Sequence, residues 1–488
     1  MDSKREINFK LISKFIGILL MFLSVFMATS ISWSLYYGEA NAVRAILISS
    51  FATFLFGLFL FLISYKNDHR NIGKKEGYII VSFAWISISL FGALPFFISG
   101  EIPNYTDAFF ETMSGFSTTG ATILNDIEAV SKGLLFWRSM TQWLGGMGII
   151  VLTLAILPIL GVGGMQLFVA EAPGTTPARL HPRIAETAKR LWGIYIIFTL
   201  LQTILLMVGK MSFFDSINHA FTTMATGGFS TQNSSIAGYS PYIQYVIILF
   251  MILAGTSFSL HYFLLKGQIK KVTDNEEFKF YIYLIGIVSF VFTVSVIVVF
   301  HTGIEKAFRD SLFQVVSVLT TTGFITADYL EWKNFMIFGI FMLMFTGGCI
   351  GSTGGGIKMI RLLVMFKNTR LELKRLIHPM AVVPVRINKK SIPSDIINNF
   401  LAFLLIYMLL IFSGSMIMSV FNLDFVSALG ATAATLGNIG PGLGSVGPVE
   451  TYAHIPDIGK WVLSFFMLIG RLELFTVLLL LSPTFWRK

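Results

Sequence analysis

Long apolar runs broken by short polar stretches divide the chain into ten segments of spanning length, near residues 11–33, 43–65, 77–99, 133–160, 188–209, 241–266, 279–301, 333–365, 397–421 and 458–482. About 20 apolar residues cover the hydrocarbon core of a bilayer, so each run predicts a transmembrane helix. Four of the intervals hold something else. Between spans three and four, five and six, seven and eight, and nine and ten lies an amphipathic piece too short to cross: DAFFETMSGFSTTGAT from Asp107, DSINHAFTTMATGGFST from Asp215, DSLFQVVSVLTTTGFIT from Asp310 and DFVSALGATAATLGNIGPGLG from Asp424. Such a piece is tolerated at membrane depth only where protein or water surrounds it. The pattern therefore predicts an all-α polytopic membrane protein: an N-terminal two-helix hairpin (1–70) followed by four span-loop-span repeats (71–165, 166–270, 271–380 and 381–488).

Each short piece reads as a half-helix followed by a tight extended loop. The aspartate is expected to cap the helix N-terminus, and the partially negative C-terminal end then points toward the Thr/Gly cluster. A glycine falls thirteen positions after the aspartate in three copies: Asp107 and Gly120, Asp215 and Gly228, Asp310 and Gly323. In the fourth, that count gives Gly437, whereas the Thr-x-Gly pattern matches Asn438-Ile439-Gly440. Gly440 is preferred, because Pro441 and Gly442 mark the change to extended chain. Glycine allows backbone angles that turn carbonyls inward, and a ring of carbonyls is how a filter replaces the water shell of a cation. Four copies in one chain would make one ring.

Composition narrows the class. Of 488 residues, 55% are hydrophobic and only 13% charged, against roughly 25% charged in soluble domains, and mean hydropathy is +0.74. The formal net charge of +10 does not indicate nucleic acid, since no basic stripe with interleaved aromatics is present. Instead, Lys and Arg collect before span one, after spans two, four, six and eight, and at the C-terminus, which predicts both termini in the cytoplasm. The half-helices then face the exterior, and Trp137, Trp143, Trp332 and Trp461 fall where an outer aromatic belt would place them. Two loops on the basic side, residues 161–187 and 366–396, suit either lipid headgroups or a soluble partner. The single cysteine, Cys349, excludes an intrachain disulfide, and the seven histidines show no metal-ligand spacing. His219 reads as packed or hydrogen-bonded. No paired acid/base site marks an intramembrane enzyme.

Two further anomalies fall inside spans. Residues 347–356 of span eight hold six glycines in ten positions, each costing about 0.5–1 kcal/mol relative to alanine in a helix. The span is expected to break there, leaving a loop below the filter that can obstruct the pathway and move to open it: Gly347, Gly348, Gly351, Gly354, Gly355 and Gly356 are its candidates. Close helix packing through small residues is the alternative. A phosphate loop is disfavoured, because Ile357 separates Gly356 from Lys358 and Met359 follows. Arg471 lies near the middle of span ten, where a charge costs at least about 2.5–3.5 kcal/mol, and the carbonyls of the Gly-rich segment are its expected partners. Glu473, two positions on, belongs to another helix face. A structural tie between helices is the plainer reading of Arg471.

STTGAT at 117–122, ATGGFS at 225–230, TTTGFI at 320–325, NIGPGLG at 438–444 and QWLGGMGIIVL at 142–152 closely resemble the Trk/Ktr/HKT superfamily of potassium uptake proteins. The extra hairpin makes the chain similar to the TrkH-type membrane subunit rather than the shorter Ktr type. That resemblance implies a potassium-permeable pore in the cytoplasmic (inner) membrane, working as a homodimer and gated by a cytosolic TrkA-type nucleotide-binding regulatory subunit. It assigns the filter to Thr118, Thr119 and Gly120; Thr226, Gly227 and Gly228; Thr321, Thr322 and Gly323; and Asn438, Ile439 and Gly440, with residues 347–356 and Arg471 as the gate. Because each segment keeps one glycine rather than the full TVGYG of potassium channels, weaker discrimination of potassium over sodium is expected. No catalytic residue and no bound cofactor are required, potassium being the substrate. Symport coupled to H+ or Na+ is the rival transport mode.

Overall fold

The computed structural model describes residues 7–64, 74–148, 184–378 and 383–486. Its regular structure is almost wholly helical, apart from a two-residue antiparallel ladder pairing Arg386–Ile387 with Lys390–Ser391. Among the described residues six helices are long and apolar enough to cross a membrane: Phe9–Tyr36, Ala40–Ile63, Lys75–Ser99, Lys189–Val208, Glu276–Phe300 and Ser394–Val420. These are the two spans of the hairpin and the first span of every repeat.

Within the described residues the second span of every repeat departs from a continuous α-helix. Span four runs as Lys132–Trp143, turns into a π-helical stretch at Leu144–Gly148 and then leaves the described residues. Span eight breaks, as its glycines predict, into Asn334–Met344 and Met359–Ile377. Spans six and ten correct the expectation of continuous helices. Span six bends by 101° between Pro241–Gly255 and Phe258–Leu265, and span ten stops at Arg471 and resumes at Phe475, with Glu473 and Leu474 left-handed at φ 57° and 56°. The physical reason is close approach: these spans pass directly under the ends of the half-helices. A Cβ on Gly255 of span six would stand 2.8 Å from Thr320 Cγ2, and one on Gly470 of span ten 2.1 Å from the Leu436 carbonyl oxygen. Carbonyls freed at the bend of span six are covered by other groups, as buried backbone requires. His261 Nε2 lies 2.8 Å from the Leu253 carbonyl, and the Cys349 N–H donates to Gly255 at 2.8 Å.

The four half-helices are Tyr105–Phe116, Phe213–Met224, Ile304–Leu319 and Phe425–Leu436. Their caps correct the reading of the aspartates. Asn104, Ser212 and Gly303 occupy the first three cap positions, and only Asp424 caps its own helix. Asp107 and Asp215 are the third residues of their helices, where a negative charge complements the helix dipole, and Asp310 lies beyond the first turn of its own. The fourth copy thus begins its count three residues early, which places Gly440 rather than Gly437 in register with the other glycines.

The indole belt is also corrected. Trp137, Trp143 and Trp332 are buried, whereas Trp461 remains 41% exposed. Trp137 Nε1 donates to Gly92 and Trp143 Nε1 to Thr199. At these positions neighbouring helices wrap the rings, which serve packing.

Candidate functional site

After each half-helix the backbone repeats one signature. A residue in the right-handed region, Ser117, Ala225, Thr320 or Gly437, ends the helix. The next residue is left-handed: Thr118 at φ 54°, Thr226 at 53°, Thr321 at 58° and Asn438 at 53°. Two positions on comes a left-handed glycine: Gly120 at 85°, Gly228 at 77°, Gly323 at 83° and Gly440 at 95°. Left-handed non-glycine residues store of order 1–3 kcal/mol each, a strain that persists only where surrounding structure dictates it.

The four segments meet in a cycle. A Cβ added to Gly120 would lie 2.2 Å from the Gly227 carbonyl oxygen, one on Gly228 1.9 Å from that of Thr322, one on Gly323 2.0 Å from that of Ile439, and one on Gly440 2.7 Å from that of Thr119. Each glycine therefore abuts the middle residue of the following triplet, and the fourth returns to the first. All four glycines line a single cavity of about 140 Å³ on the side away from the half-helices. Beside it the Asn233 amide donates to Asp126 at 3.0 Å, and this hydrogen bond holds the exposed carboxyl below the usual carboxylate range. Among the described residues no group of three or more His, Cys, Asp or Glu is placed to hold a metal ion. The ring offers neutral oxygens, the donors that hard monovalent cations favour.

A second layer of side chains fixes the segments. Five residues before the end of the first three half-helices stand Glu111, His219 and Gln314, and each reaches forward to the irregular chain leaving its own segment. Glu111 accepts from Thr122 Oγ1 at 2.9 Å and the Ile123 N–H at 2.9 Å. His219 Nε2 lies 3.0 Å from Ser230 Oγ, and Gln314 Nε2 donates to the Ala327 carbonyl at 3.1 Å. The fourth copy has Ala431 there; Tyr452 instead donates to the Gly440 carbonyl and Tyr329 to Gly442, both at 2.8 Å. Fully buried Arg138 binds Glu111 at 2.6 Å, donates to the Ser230 carbonyl at 3.0 Å and stacks 3.5 Å over Phe229, joining repeats one and two. Gln142 spans its neighbour, donating to the Gly227 carbonyl at 2.6 Å and accepting from the Phe229 N–H at 3.0 Å. The Gly227 and Gly440 carbonyls are thus partly engaged by protein donors.

Below the ring, the Gly-rich loop of span eight lies against it. The Gly355 N–H donates to Thr321 Oγ1 at 2.7 Å, and Thr353 Oγ1 donates to the Met224 carbonyl, at the end of the second half-helix, at 3.0 Å. Arg471 gathers three structures: its guanidinium donates to the Thr353 carbonyl at 2.8 Å, to Thr118 Oγ1 at 3.1 Å and to the Gly146 carbonyl at 2.6 Å. The twelve filter candidates therefore share the ring, and the gate candidates share the layer beneath it. Glu473 takes part as well, by a route the helix-face argument missed. The break after Arg471 turns it to Arg361, with which it forms a buried salt bridge. Lys358, whose ammonium donates to the Gly354 carbonyl, and Glu277 were also missed. For Lys358 the available signal was a charge two positions after Gly356; for Glu277, in DNEEF at the start of span seven, no link to the loop is visible in the sequence.

The comparisons with known proteins agree with this architecture. The family model described as TrkH, cation transport protein, matches residues 43–488. Among similar sequences, the Trk system potassium uptake protein TrkH of Salmonella typhimurium is 40% identical over 99% of this chain and 100% of its own, and its counterpart in Escherichia coli K12 is likewise 40% identical with the same coverage. The crystal structure of the potassium transporter TrkH from Vibrio parahaemolyticus superposes with a TM-score of 0.88 at 36% identity, covering 99% of this chain and 100% of that one. With its apolar helices, the chain is a multi-pass protein of the inner membrane, and it belongs to the TrkH family of cation transport proteins.

Proposed function

We propose that this chain is a potassium uptake pore that passes the ion inward, down its electrochemical gradient, through the ring of Thr118 to Gly120, Thr226 to Gly228, Thr321 to Gly323 and Asn438 to Gly440. The observation that carries the reading is the cyclic contact of the four left-handed glycines, supported by relatives named potassium uptake proteins. Four half-helix C-termini, each equivalent to about −0.5 charge, favour a cation beneath the ring. An inside-negative potential supplies about 2.3 kcal/mol per charge for each 100 mV, so accumulation needs no chemistry on this chain. Residues 347–356, held by Arg471, form the gate. A homodimer and a cytosolic TrkA-type nucleotide-binding subunit complete the working assembly.

The test is voltage-driven flux into proteoliposomes holding the purified protein, with potassium, rubidium, sodium or lithium outside. Potassium and rubidium should enter faster than sodium and lithium, and deletion of residues 347–356 should raise flux while keeping that ranking. Uptake that depends on a proton or sodium gradient rather than on voltage would contradict the proposal and favour coupled symport.

A further inference from the structure

Glu276 and Glu277 open span seven, Glu276–Phe300, and face two different structures. Buried Glu277 points at the Gly-rich loop: its Oε1 accepts from the Ile350 N–H at 2.8 Å, inside the loop, and from the Ile360 N–H at 3.1 Å, in the first turn of Met359–Ile377. One carboxylate oxygen thus holds the loop and the helix that follows it. Glu276 points at the surface hairpin: its N–H donates to Asn388 Oδ1 at 2.9 Å, and its carboxylate pairs with Lys367, whose ammonium also donates to the Arg386 carbonyl at 2.9 Å. The hairpin turn is exposed, with Asn388 and Lys389 both left-handed at φ 48° and 66°.

The hairpin is no loose appendage. Val385 and Ile387 pack with Ile360, Leu363, Val364, Ile397 and Phe400 in a hydrophobic cluster separate from the main core. Ile360 belongs to the same turn that Glu277 holds. Hairpin, helix and the start of span nine therefore form one body joined to the loop, and the two glutamates bolt that body to span seven.

We infer that Glu277 is the positioning residue that keeps the loop closed, and that the hairpin at Arg386–Ser391, tied to Glu276, is the lever that holds Glu277 in place. The inference rests on the reading of residues 347–356 as the gate. A force that lifts the hairpin from Glu276 loads the Glu277 hydrogen bonds directly, because the two acceptors are consecutive in the chain.

The experiment uses the full chain in proteoliposomes with two readouts: voltage-driven rubidium flux, and the rate at which a membrane-permeant maleimide modifies Cys349, the only cysteine of the sequence and buried within the loop. Glu277→Ala should raise both by about tenfold, the factor expected when a pair of hydrogen bonds is lost from a two-state element, and Glu277→Gln by less. Lys367→Met with Asn388→Ala, at the surface, should raise both with the ion ranking unchanged; that variant carries the test if Glu277→Ala does not fold. In the background of the 347–356 deletion, which removes Cys349, Glu277→Gln should leave flux unaltered. If the deletion raises flux while neither the Glu277 nor the hairpin variants do so, the lever is refuted and the gate stands. If the deletion itself leaves flux unchanged, the gate reading falls and the lever with it. Increased flux from Glu277→Gln in the deleted background would also overturn the inference, since the residue would then act elsewhere.

Discussion

Thr118, Thr226, Thr321 and Asn438 adopt a backbone that β-branched and amide side chains take reluctantly, and they do so at the same point of four repeats. Recurrent strain of this kind needs a stiff surround, which the buried braces supply. Arg138 and Glu111 are its strongest component, and removing one partner of a buried pair leaves the other charge uncompensated, at a cost of about 3–5 kcal/mol. Arg138→Met should therefore lower the thermal midpoint in detergent sharply, while the double variant Arg138→Met with Glu111→Gln should recover part of the loss; equal midpoints for the two would show the pair is not the brace. What was legible at this scale was the glycine spacing, because only glycine fits where a Cβ would strike the adjacent repeat. The braces were not legible: nothing in the string places Arg138 beside Glu111, twenty-seven positions away, whereas Pro441 and Gly442 were enough to favour Gly440 over the plain count of thirteen from Asp424.

Helices show the same division. The first span of each repeat was readable from its apolar run. The interruptions in spans six and ten were not, because hydropathy records an apolar environment and not the direction of the axis; Thr256 and Ser257 at the bend look like ordinary small residues in a long helix. Span eight betrayed itself only through six glycines. The bend of span six depends on groups that cover its open carbonyls, so His261→Phe, which keeps the ring and removes the donor, should cost about 1–3 kcal/mol. A thermal midpoint equal to that of the unsubstituted protein would contradict this role. Thr353 ties the loop to the second half-helix through Met224. Thr353→Val keeps its shape and loses that bond, so flux in the absence of any partner should rise about two- to tenfold, the factor for one neutral hydrogen bond, with the ranking of cations unchanged. Unaltered flux would mean that the bond does not hold the closed state.

Across the whole molecule, the N-terminal two-helix hairpin, the repeated half-helices and the family were evident from sequence, and the cyclic closure of the ring emerged only when the four repeats were brought together. That closure is the central claim: four segments act as one filter, each glycine supporting its neighbour. The most direct measurement substitutes Gly120, Gly228, Gly323 and Gly440 by serine one at a time and compares potassium, rubidium, sodium and lithium flux in proteoliposomes, using only variants that keep their assembly in detergent. Every substitution should reduce the preference for potassium over sodium, Gly440→Ser included. Unchanged preference in any one of the four correctly assembled variants would contradict a four-segment ring.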